Sequence, residues 1–206
     1  HSDEATFDIQ FGNVTRKLHT NTSWDQARFE VCGHKWADIS EGSYGVSLMN
    51  DCKYGYSMKN RVMTQTLIKS GTEPNLTADQ EEHFFTYSLY PHAGTRREAG
   101  TLNVPAKAVA GAAEKDRMFF LSVDKRDGVL ETVKKAEDGD GVIVRLYEVE
   151  NARTKVTLHC AEAIASAEET DLLENPIEGA LGVKENEIEL TIKPYEIRTI
   201  RIRTAK

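Results

Sequence analysis

The 206-residue sequence has no apolar run near the roughly 20 residues that a membrane-spanning helix needs. It also lacks a dense cluster of lysine and arginine, because 26 basic residues are outnumbered by 33 acidic ones and the formal net charge is −7. Binding to nucleic acid depends on a basic face that neutralises phosphates. We therefore predict that neither a membrane nor a nucleic acid is a partner.

The short motifs of several enzyme classes are missing too. Neither GxGxxG nor GxxxxGK[ST] occurs, which argues against a nucleotide-binding loop. The six histidines show no HxH or HExxH spacing, and no serine lies in a GxSxG elbow. The sequence thus predicts no metal site, no cofactor and no complete catalytic set in this chain.

Cysteine is scarce: there are three, at positions 32, 52 and 160, with no CxxC pair. An odd number without such spacing favours free, buried thiols in a reducing compartment, and we expect a cytoplasmic protein. The opening residues HSDEATFDIQF contain neither an initiator methionine nor a signal peptide, so we expect a fragment or a processed chain.

Short runs with apolar residues at alternate positions are abundant, and most are bounded by Gly, Pro, Asn or Asp. This pattern predicts β-strands. In the first half the predicted strands are 6–11, 28–32, 45–49, 62–68 and 83–90. The polar stretch between the last two suggests no more than a helical turn.

The second half contains about seven short strands in roughly 90 residues, a spacing typical of an antiparallel sandwich of immunoglobulin-like size. The clearest are 118–123, 128–134, 142–149, 155–160, 187–192 and 196–203. Between the halves, a segment rich in Ala, Gly and charge predicts a connection, in which 95–100 could form a short helix and 106–113 could form another or remain extended. The predicted organisation is therefore 1–92, 93–117 and 118–206.

One window, HKWADISEGSYGVSLMNDCKYGY from His34 to Tyr56, concentrates carboxylates and aromatic rings. Asp38, Glu41 and Asp51 could supply the acid and base of a glycosidase. The alternative is that Asp38, Asn50 and Asp51 only cap turns through bonds to nearby backbone groups.

The aromatic residues of this window also allow two readings. Trp36 and Tyr44 could form a platform that stacks on a sugar ring, because aromatic faces suit the apolar C–H face of a pyranose. Equally, both could pack in the core of a sandwich. Tyr54 shares parity with Tyr56 on an extended segment, so one face there could be exposed.

The run FEVCGHKWADISEGSYGVSLMNDCKYGY and the later FTYSLYPH closely resemble the C-terminal region of the α-mannosidases of glycoside hydrolase family 38. KKAEDGDGVIVRLYE, ETDLLE and the closing KPYEIRTIRIR are similar to the same family's final β-sandwich. The resemblance covers most of the chain, about residues 5–203. It implies an all-β fold, in which the end of a large β-supersandwich precedes a small immunoglobulin-like antiparallel β-sandwich.

The resemblance also implies which parts lie elsewhere. In this family the carboxylate nucleophile and the His and Asp ligands of an essential zinc lie in an N-terminal α/β barrel, which a helical domain follows. No position here matches those motifs, so we assign no catalytic residue and no metal ligand. The implied partners are that barrel, the helical domain, mannosides and further copies of the enzyme. The cleft candidates carried by the resemblance are Trp36, Asp38, Glu41, Tyr44, Asp51 and Tyr54.

Three functions follow as hypotheses. The first is a non-catalytic C-terminal part of a retaining, zinc-dependent α-mannosidase, which supports the barrel and lines the mannoside cleft. The second is a free-standing carbohydrate-binding β-sandwich, which exposed Trp36 and Tyr44 on one surface would favour. The third is a self-sufficient hydrolase that uses Asp38, Glu41 or Asp51.

Overall fold

The computed structural model describes residues 2–60, 62–93, 100–111 and 118–205. The chain divides into two compact units, which we call unit 1 (His1–Val109) and unit 2 (Ala110–Lys206). Their boundary falls within the segment 93–117 that the composition predicts as a connection. Among the described residues, no helix combines the length and the hydropathy needed to cross a membrane.

Unit 1 is built almost entirely from strands. The two helices described in it are a single turn or little more. The elements are β1 (Glu4–Ile9), β2 (Gly12–Lys17), α1 (Ser23–Ala27), β3 (Val31–Cys32), β4 (Trp36–Glu41), β5 (Tyr44–Asn50), β6 (Gly55–Lys59), β7 (Val62–Thr66), β8 (Tyr87–His92) and α2 (Gly100–Asn103).

The strands of unit 1 form two antiparallel sheets. The larger has the order β2-β1-β4-β5-β8 and the smaller has the order β3-β6-β7. Alternate residues of the larger sheet face the smaller one, and Phe7 and Ala37 share this inner face. Phe7 meets Tyr56 of the smaller sheet edge to face, with ring centroids 5.9 Å apart. Both rings are almost fully buried, so this contact lies in the core of unit 1.

Unit 2 consists of nine described strands. They are β9 (Leu121–Val123), β10 (Gly128–Lys135), β11 (Val142–Glu148), β12 (Thr154–Cys160), β13 (Ile164–Thr170), β14 (Pro176–Ala180), β15 (Val183–Lys184), β16 (Glu187–Ile192) and β17 (Ile197–Thr204). They pair antiparallel in two sheets, with the orders β10-β11-β17-β13-β14 and β15-β16-β12-β9.

The two sheets of unit 2 enclose one apolar core. Val144 and Ile200 from the five-stranded sheet and Leu158 and Ile188 from the four-stranded sheet are all fully buried in it. Alternating inward-facing side chains from two sheets are the arrangement of a β-sandwich. The predicted all-β class is therefore confirmed, while the assignment of residues 1–92 to a supersandwich stays a prediction.

Several strands differ from the prediction in position. The segment at 28–32 is a strand only at Val31–Cys32. Helix α1 begins with a capping box at Thr22 and Asp25 and ends at Ala27, so Arg28 is its C-cap and not the first residue of a strand. The last predicted strand of the first half is shifted towards the C-terminus, to Tyr87–His92.

Two predictions concern the connection between the units. The predicted helix at 95–100 lies outside the described residues except for Gly100, where α2 begins. For the segment 106–113, which could be a helix or extended, residues 106–111 are described and are not helical.

Candidate functional site

The window from His34 to Tyr56 is built on a β-hairpin rather than on a loop. Trp36–Glu41 is strand β4, which pairs antiparallel with β5. Trp36, Asp38 and Ser40 lie on one face of the hairpin, while Ala37, Ile39 and Glu41 lie on the other, because side chains alternate along a strand. The predicted site residues are thereby divided between two faces.

On the outer face, Asp38 is the centre of a buried polar cluster. Its Oδ2 accepts a hydrogen bond from His92 Nε2 at 2.6 Å and another from the Ser47 hydroxyl at 2.6 Å. The Ser40 hydroxyl donates to the other carboxylate oxygen. The side chains of Asp38 and His92 are 4% and 1% exposed. Buried charges are tolerated when they are paired and hydrogen-bonded in this way.

Gly45 is the residue that leaves room for this cluster. A Cβ atom at Gly45 would lie 2.3 Å from His92 Cε1 and 2.4 Å from the Ser40 hydroxyl oxygen. The imidazole of His92 therefore occupies the space above the backbone of β5 that a side chain would otherwise fill. Close packing against His92 and Ser40 therefore requires a glycine at this position.

Trp36 lies on the same outer face and is also buried. It is 5% exposed and packs with Met49, Tyr90 and Leu102. Leu102 belongs to α2, which covers this part of the sheet. A platform formed by Trp36 and Tyr44 is not present, because Trp36 is interior and Tyr44 is on the opposite face.

Glu41 and Tyr44 are at the tip of the hairpin, on its inner face. Tyr44 is 53% exposed. Both residues line a groove of about 690 Å³ whose other walls include Ile39, Met58 and Met63. This groove is mainly apolar, and Glu41 is one of its few charged lining groups.

Asp51 and Tyr54 lie at the other end of the hairpin. The Asp51 carboxylate accepts the Thr86 N–H at 2.9 Å, and this hydrogen bond lowers the pKa of Asp51 below its usual range. Tyr54 is 48% exposed and its ring lies against that of His34, with centroids 4.8 Å apart. Lys53 between them places its Nζ 4.9 Å from the centroid of Phe85.

A buried amide holds the turn at 51–54 in place. Asn50 is fully buried, and its side chain donates to the His34 carbonyl at 2.8 Å and to the Tyr56 hydroxyl. Its side-chain oxygen accepts the Lys53 N–H at 2.6 Å. Burial raises the pKa of Tyr56 far above its ordinary value. The prediction that Asn50 caps a turn is confirmed by these contacts.

The six candidates therefore occupy three places. Trp36 and Asp38 are interior on the outer face, Glu41 and Tyr44 are at the tip, and Asp51 and Tyr54 are at the far end. The two ends are separated by the length of β5, about 20 Å at about 3.3 Å per residue. The two carboxylates of a glycosidase pair lie within about 10 Å of each other. Glu41 and Asp51 are therefore too far apart to act as such a pair.

Ser47 and His92, the hydrogen-bond partners of Asp38, were not identified from the sequence. Ser47 could have been found, because a hairpin with its turn at 42–43 places Ser47 opposite Asp38. His92 could not, since its position depends on the pairing of β8 with β5, 54 residues after Asp38. Among the described residues, no three His, Cys, Asp or Glu side chains come together in a way that could hold a metal ion.

Two family models match the chain. Residues 1–77 match the glycosyl hydrolases family 38 C-terminal domain, and residues 129–200 match the glycosyl hydrolases family 38 C-terminal beta sandwich domain. The second match falls within the sandwich of unit 2.

Comparison with individual proteins gives the same result. Alpha-mannosidase 2C1 of Homo sapiens is 38% identical over 211 residues, covering 97% of this chain and 20% of the relative. Alpha-mannosidase G of Dictyostelium discoideum is 38% identical over 214 residues, covering 96% and 19%. The crystal structure of an alpha-mannosidase from Enterococcus faecalis V583 has the same fold, with a TM-score of 0.76 at 19% identity, covering 97% of this chain and 24% of that one.

This chain spans about a fifth of the length of the curated relatives that it matches. The matched part contains both units, and the two family models together cover most of the chain. The chain therefore belongs to glycosyl hydrolase family 38, and it carries the C-terminal β-domains of that family.

Proposed function

We propose that this chain is the non-catalytic C-terminal part of a retaining, zinc-dependent α-mannosidase. The observation that carries the proposal is that relatives named alpha-mannosidase match nearly all of this chain with only a fifth of their own length. An N-terminal barrel, as the resemblance implies, would supply the nucleophile and the zinc ligands. The enzyme is expected in the cytoplasm, and the barrel and the helical domain are the expected partners of these β-domains.

The apolar surface of unit 1 supports such partners. Several large apolar side chains are more than half exposed there, although soluble monomers rarely expose extended apolar patches. They include Trp24, Phe29, Leu76, Phe84, Tyr87 and Leu89. Surfaces of this kind are typical of protein–protein or interdomain contacts, and a homo-oligomer interface is the second use that they fit.

Within this role, we propose that the far end of the hairpin lines the mannoside cleft. Tyr54 is half-exposed and is oriented by the His34 ring beneath it. Lys53 adds a cation, and Asp51 is held as a carboxylate by the Thr86 N–H. An aromatic face beside fixed polar groups is suited to one face of a pyranose ring. Asp51 and Tyr54 are therefore the cleft candidates that we favour.

The other candidates have different parts in this proposal. Trp36 and Asp38 are too deeply buried to touch a sugar, so they would act by holding β4, β5 and β8 together. Glu41 and Tyr44 lie at the opposite end, in a groove better suited to an apolar neighbour. They provide matched controls for the residues of the far end.

The test of the cleft uses the intact enzyme. Tyr54→Ala should lower kcat/KM for an aryl α-mannoside about 10-fold, a loss of about 1.4 kcal/mol of transition-state stabilisation. Tyr44→Ala, which truncates an equally exposed tyrosine at the other end of the hairpin, should leave kcat/KM within about twofold. Equal values for wild type and Tyr54→Ala, with normal folding of both, would retire the assignment.

The test of the non-catalytic role uses the 206-residue chain alone. It should not hydrolyse an aryl α-mannoside, either with added zinc or after treatment with a chelator. Turnover that co-purifies with the chain and disappears in Asp51→Asn or Glu41→Gln would instead support a self-sufficient hydrolase.

A free-standing carbohydrate-binding module remains the second candidate function. The exposed Tyr54 beside His34 and Lys53 is the observation that favours it. Titration calorimetry of the 206-residue chain with mannose and with mannan measures it directly. Binding that is lost in Tyr54→Ala but kept in Tyr44→Ala would favour the module, whereas heats of dilution alone would exclude it.

A further inference from the structure

The alternation of side chains along β2 places Arg16 on the face of the strand that points to the core of unit 1. The register partner of Arg16 on β1 is Ala5, and that of Val14 is Phe7. Ala5 and Phe7 are both 1% exposed, and Val14 packs against the same core. Because cross-strand partners share a face, Arg16 projects towards the space between the two sheets of unit 1. A guanidinium at such a position is costly unless something compensates for its burial.

The protein compensates for Arg16 only in part. The guanidinium carbon lies 4.6 Å from the centroid of the Phe7 ring, a favourable cation–π distance. Its Nη1, however, is buried without a hydrogen-bond partner among the described residues. Burial lowers the pKa of Arg16, and the nearby charge of Arg28 lowers it further. A buried donor without a partner calls for an explanation such as a bound ion.

A small pocket adjoins this guanidinium. Its volume is about 60 Å³, which is enough for several water molecules or a small polyatomic ion. Its charged lining is dominated by cations, namely Arg16, Lys17, Arg28 and Lys59, with His19 as a further titratable group and Asp25 as the acid.

Asp25 balances only one of these cations, Arg28, and its carboxylate is otherwise engaged by Thr22. One oxygen accepts the Thr22 N–H at 3.0 Å and the Thr22 hydroxyl at 2.9 Å. The other oxygen, Oδ1, pairs with Arg28, while His19 Nδ1 lies 3.3 Å from the first oxygen. Lys17 is paired with Glu4 at 2.7 Å. Arg16 and Lys59 are therefore the lining cations that have no ion pair among the described residues, in a chain whose net charge is −7.

We propose that this pocket of unit 1 is an oxyanion site that takes a phosphate group, held by Arg16 from the inside and by Arg28 and Lys59 at the rim. Guanidinium groups match the geometry of phosphate oxygens and can donate two parallel hydrogen bonds. A bound phosphate gives the Arg16 guanidinium the acceptor that the described protein groups do not provide. It also screens Arg16 from Arg28. The site is independent of the proposed mannosidase role.

The test uses the 206-residue chain and inorganic phosphate. Both tryptophans of the chain, Trp24 and Trp36, lie in unit 1, so fluorescence reports the unfolding of that unit. A ligand of the native state raises the folding equilibrium constant by the factor 1 + [L]/Kd, which is about 11-fold at ten times Kd. We expect this rise with sodium phosphate, relative to sodium chloride at the same ionic strength.

Three variants locate the site. Arg16→Gln should abolish the effect of phosphate, and Lys59→Gln should raise the Kd at least several-fold. Arg153→Gln is the matched control, because Arg153 is an exposed arginine in unit 2 and should leave the effect unchanged. Lys59 is also exposed, so Lys59→Gln decides the question even where Arg16→Gln fails to fold.

Three results would overturn the proposal. The first is no stabilisation by phosphate beyond that of chloride. The second is an undiminished effect of phosphate in both Arg16→Gln and Lys59→Gln. The third is equal stabilisation by acetate, which would identify a carboxylate site in place of a phosphate site.

Discussion

Asp38 and His92 are 54 residues apart in the sequence, yet the Asp38 carboxylate and His92 Nε2 are 2.6 Å apart in the interior of unit 1. The two residues stand on β4 and β8, which are separated by β5 in the sheet. Ser47 of β5 completes the link by donating to the same carboxylate oxygen. This cluster therefore links three neighbouring strands of the larger sheet, β4, β5 and β8.

We first predict that Asp38→Asn destabilises unit 1 by about 3 kcal/mol, because the amide cannot accept from His92, Ser47 and Ser40 as the carboxylate does, and each buried donor left without an acceptor costs about 1–3 kcal/mol. Urea unfolding followed by tryptophan fluorescence measures the change, since both tryptophans are in unit 1. Glu41→Gln removes an exposed carboxylate from the same strand and should cost less than about 0.5 kcal/mol. Equal losses in the two variants would contradict an internal role for the Asp38–His92 pair.

A second prediction concerns Gly45. In Gly45→Ala the added methyl group would overlap His92 and the Ser40 hydroxyl, at 2.3 Å and 2.4 Å from their nearest atoms. We expect a loss of about 1–3 kcal/mol, the usual cost of overpacking. Calorimetry of the variant is the measurement. Gly182→Ala is the control, because no heavy atom lies within 4 Å of the added Cβ there. A neutral Gly45→Ala would mean that His92 can move aside at little cost.

Stability in alkali provides a third prediction. Burial raises the pKa of Tyr56 in the folded state, whereas an unfolded tyrosine titrates near 10. Above that pH the unfolded chain loses a proton that the folded chain keeps, so the contribution of Tyr56 to stability is lost as the pH rises. The expected slope from this residue is about 1.4 kcal/mol per pH unit.

Tyr56→Phe separates this effect from general alkaline unfolding. The variant should lose about 1 kcal/mol at pH 7, because the bonds of the hydroxyl with the His34 carbonyl and Asn50 disappear. It should also lose the slope assigned to Tyr56 between pH 10 and pH 11, as measured by urea unfolding at each pH. Parallel pH profiles for the variant and the wild type would contradict the assignment.

The edge of the larger sheet supports a fourth prediction. Among the described residues, no strand pairs with the outer side of β8. Tyr87 and Leu89 of this strand are 60% and 65% exposed. An open edge with apolar side chains is a template for association. We expect the 206-residue chain to self-associate and Leu89→Lys to reduce this, as measured by sedimentation velocity over a range of concentrations.

The control for the edge is Leu173→Lys, which alters a leucine that is 82% exposed in unit 2. It should leave self-association unchanged. A wild-type chain that sediments as a monomer at every concentration would count against an association surface on β8.

A strand that breaks the alternation of apolar and polar residues cannot be predicted from that alternation. Strand β13 contains a bulge between Ile164 and Ser166, which breaks the period of two on which the prediction depends. Its acidic residues Glu168 and Glu169 form ion pairs with Arg203 and Arg198 of β17. Because β17 follows about 30 residues later, the sequence around β13 contains no sign of this compensation.

Arg201 illustrates the same point in unit 2. Its position in an alternating run predicts an exposed side chain on the solvent face of a strand. It is instead 6% exposed, with its guanidinium 2.5 Å from Asp138 and donating to the Glu174 carbonyl. The segment around Glu174 is tied down by Lys134 and covers that face of the sheet. A loop that folds back over a sheet leaves no local signal in the strand beneath it.

By itself, the sequence determined the all-β class and the family, because alternation and dense local motifs depend only on neighbouring residues. Only the tertiary structure decided where the six cleft candidates lie. Strand pairing buried Trp36 and Asp38, moved Glu41 and Tyr44 to one end of a hairpin, and left Asp51 and Tyr54 at the other. Which face of a strand is covered depends on partners distant in the sequence, such as β8 and α2, and a local pattern contains no information about them.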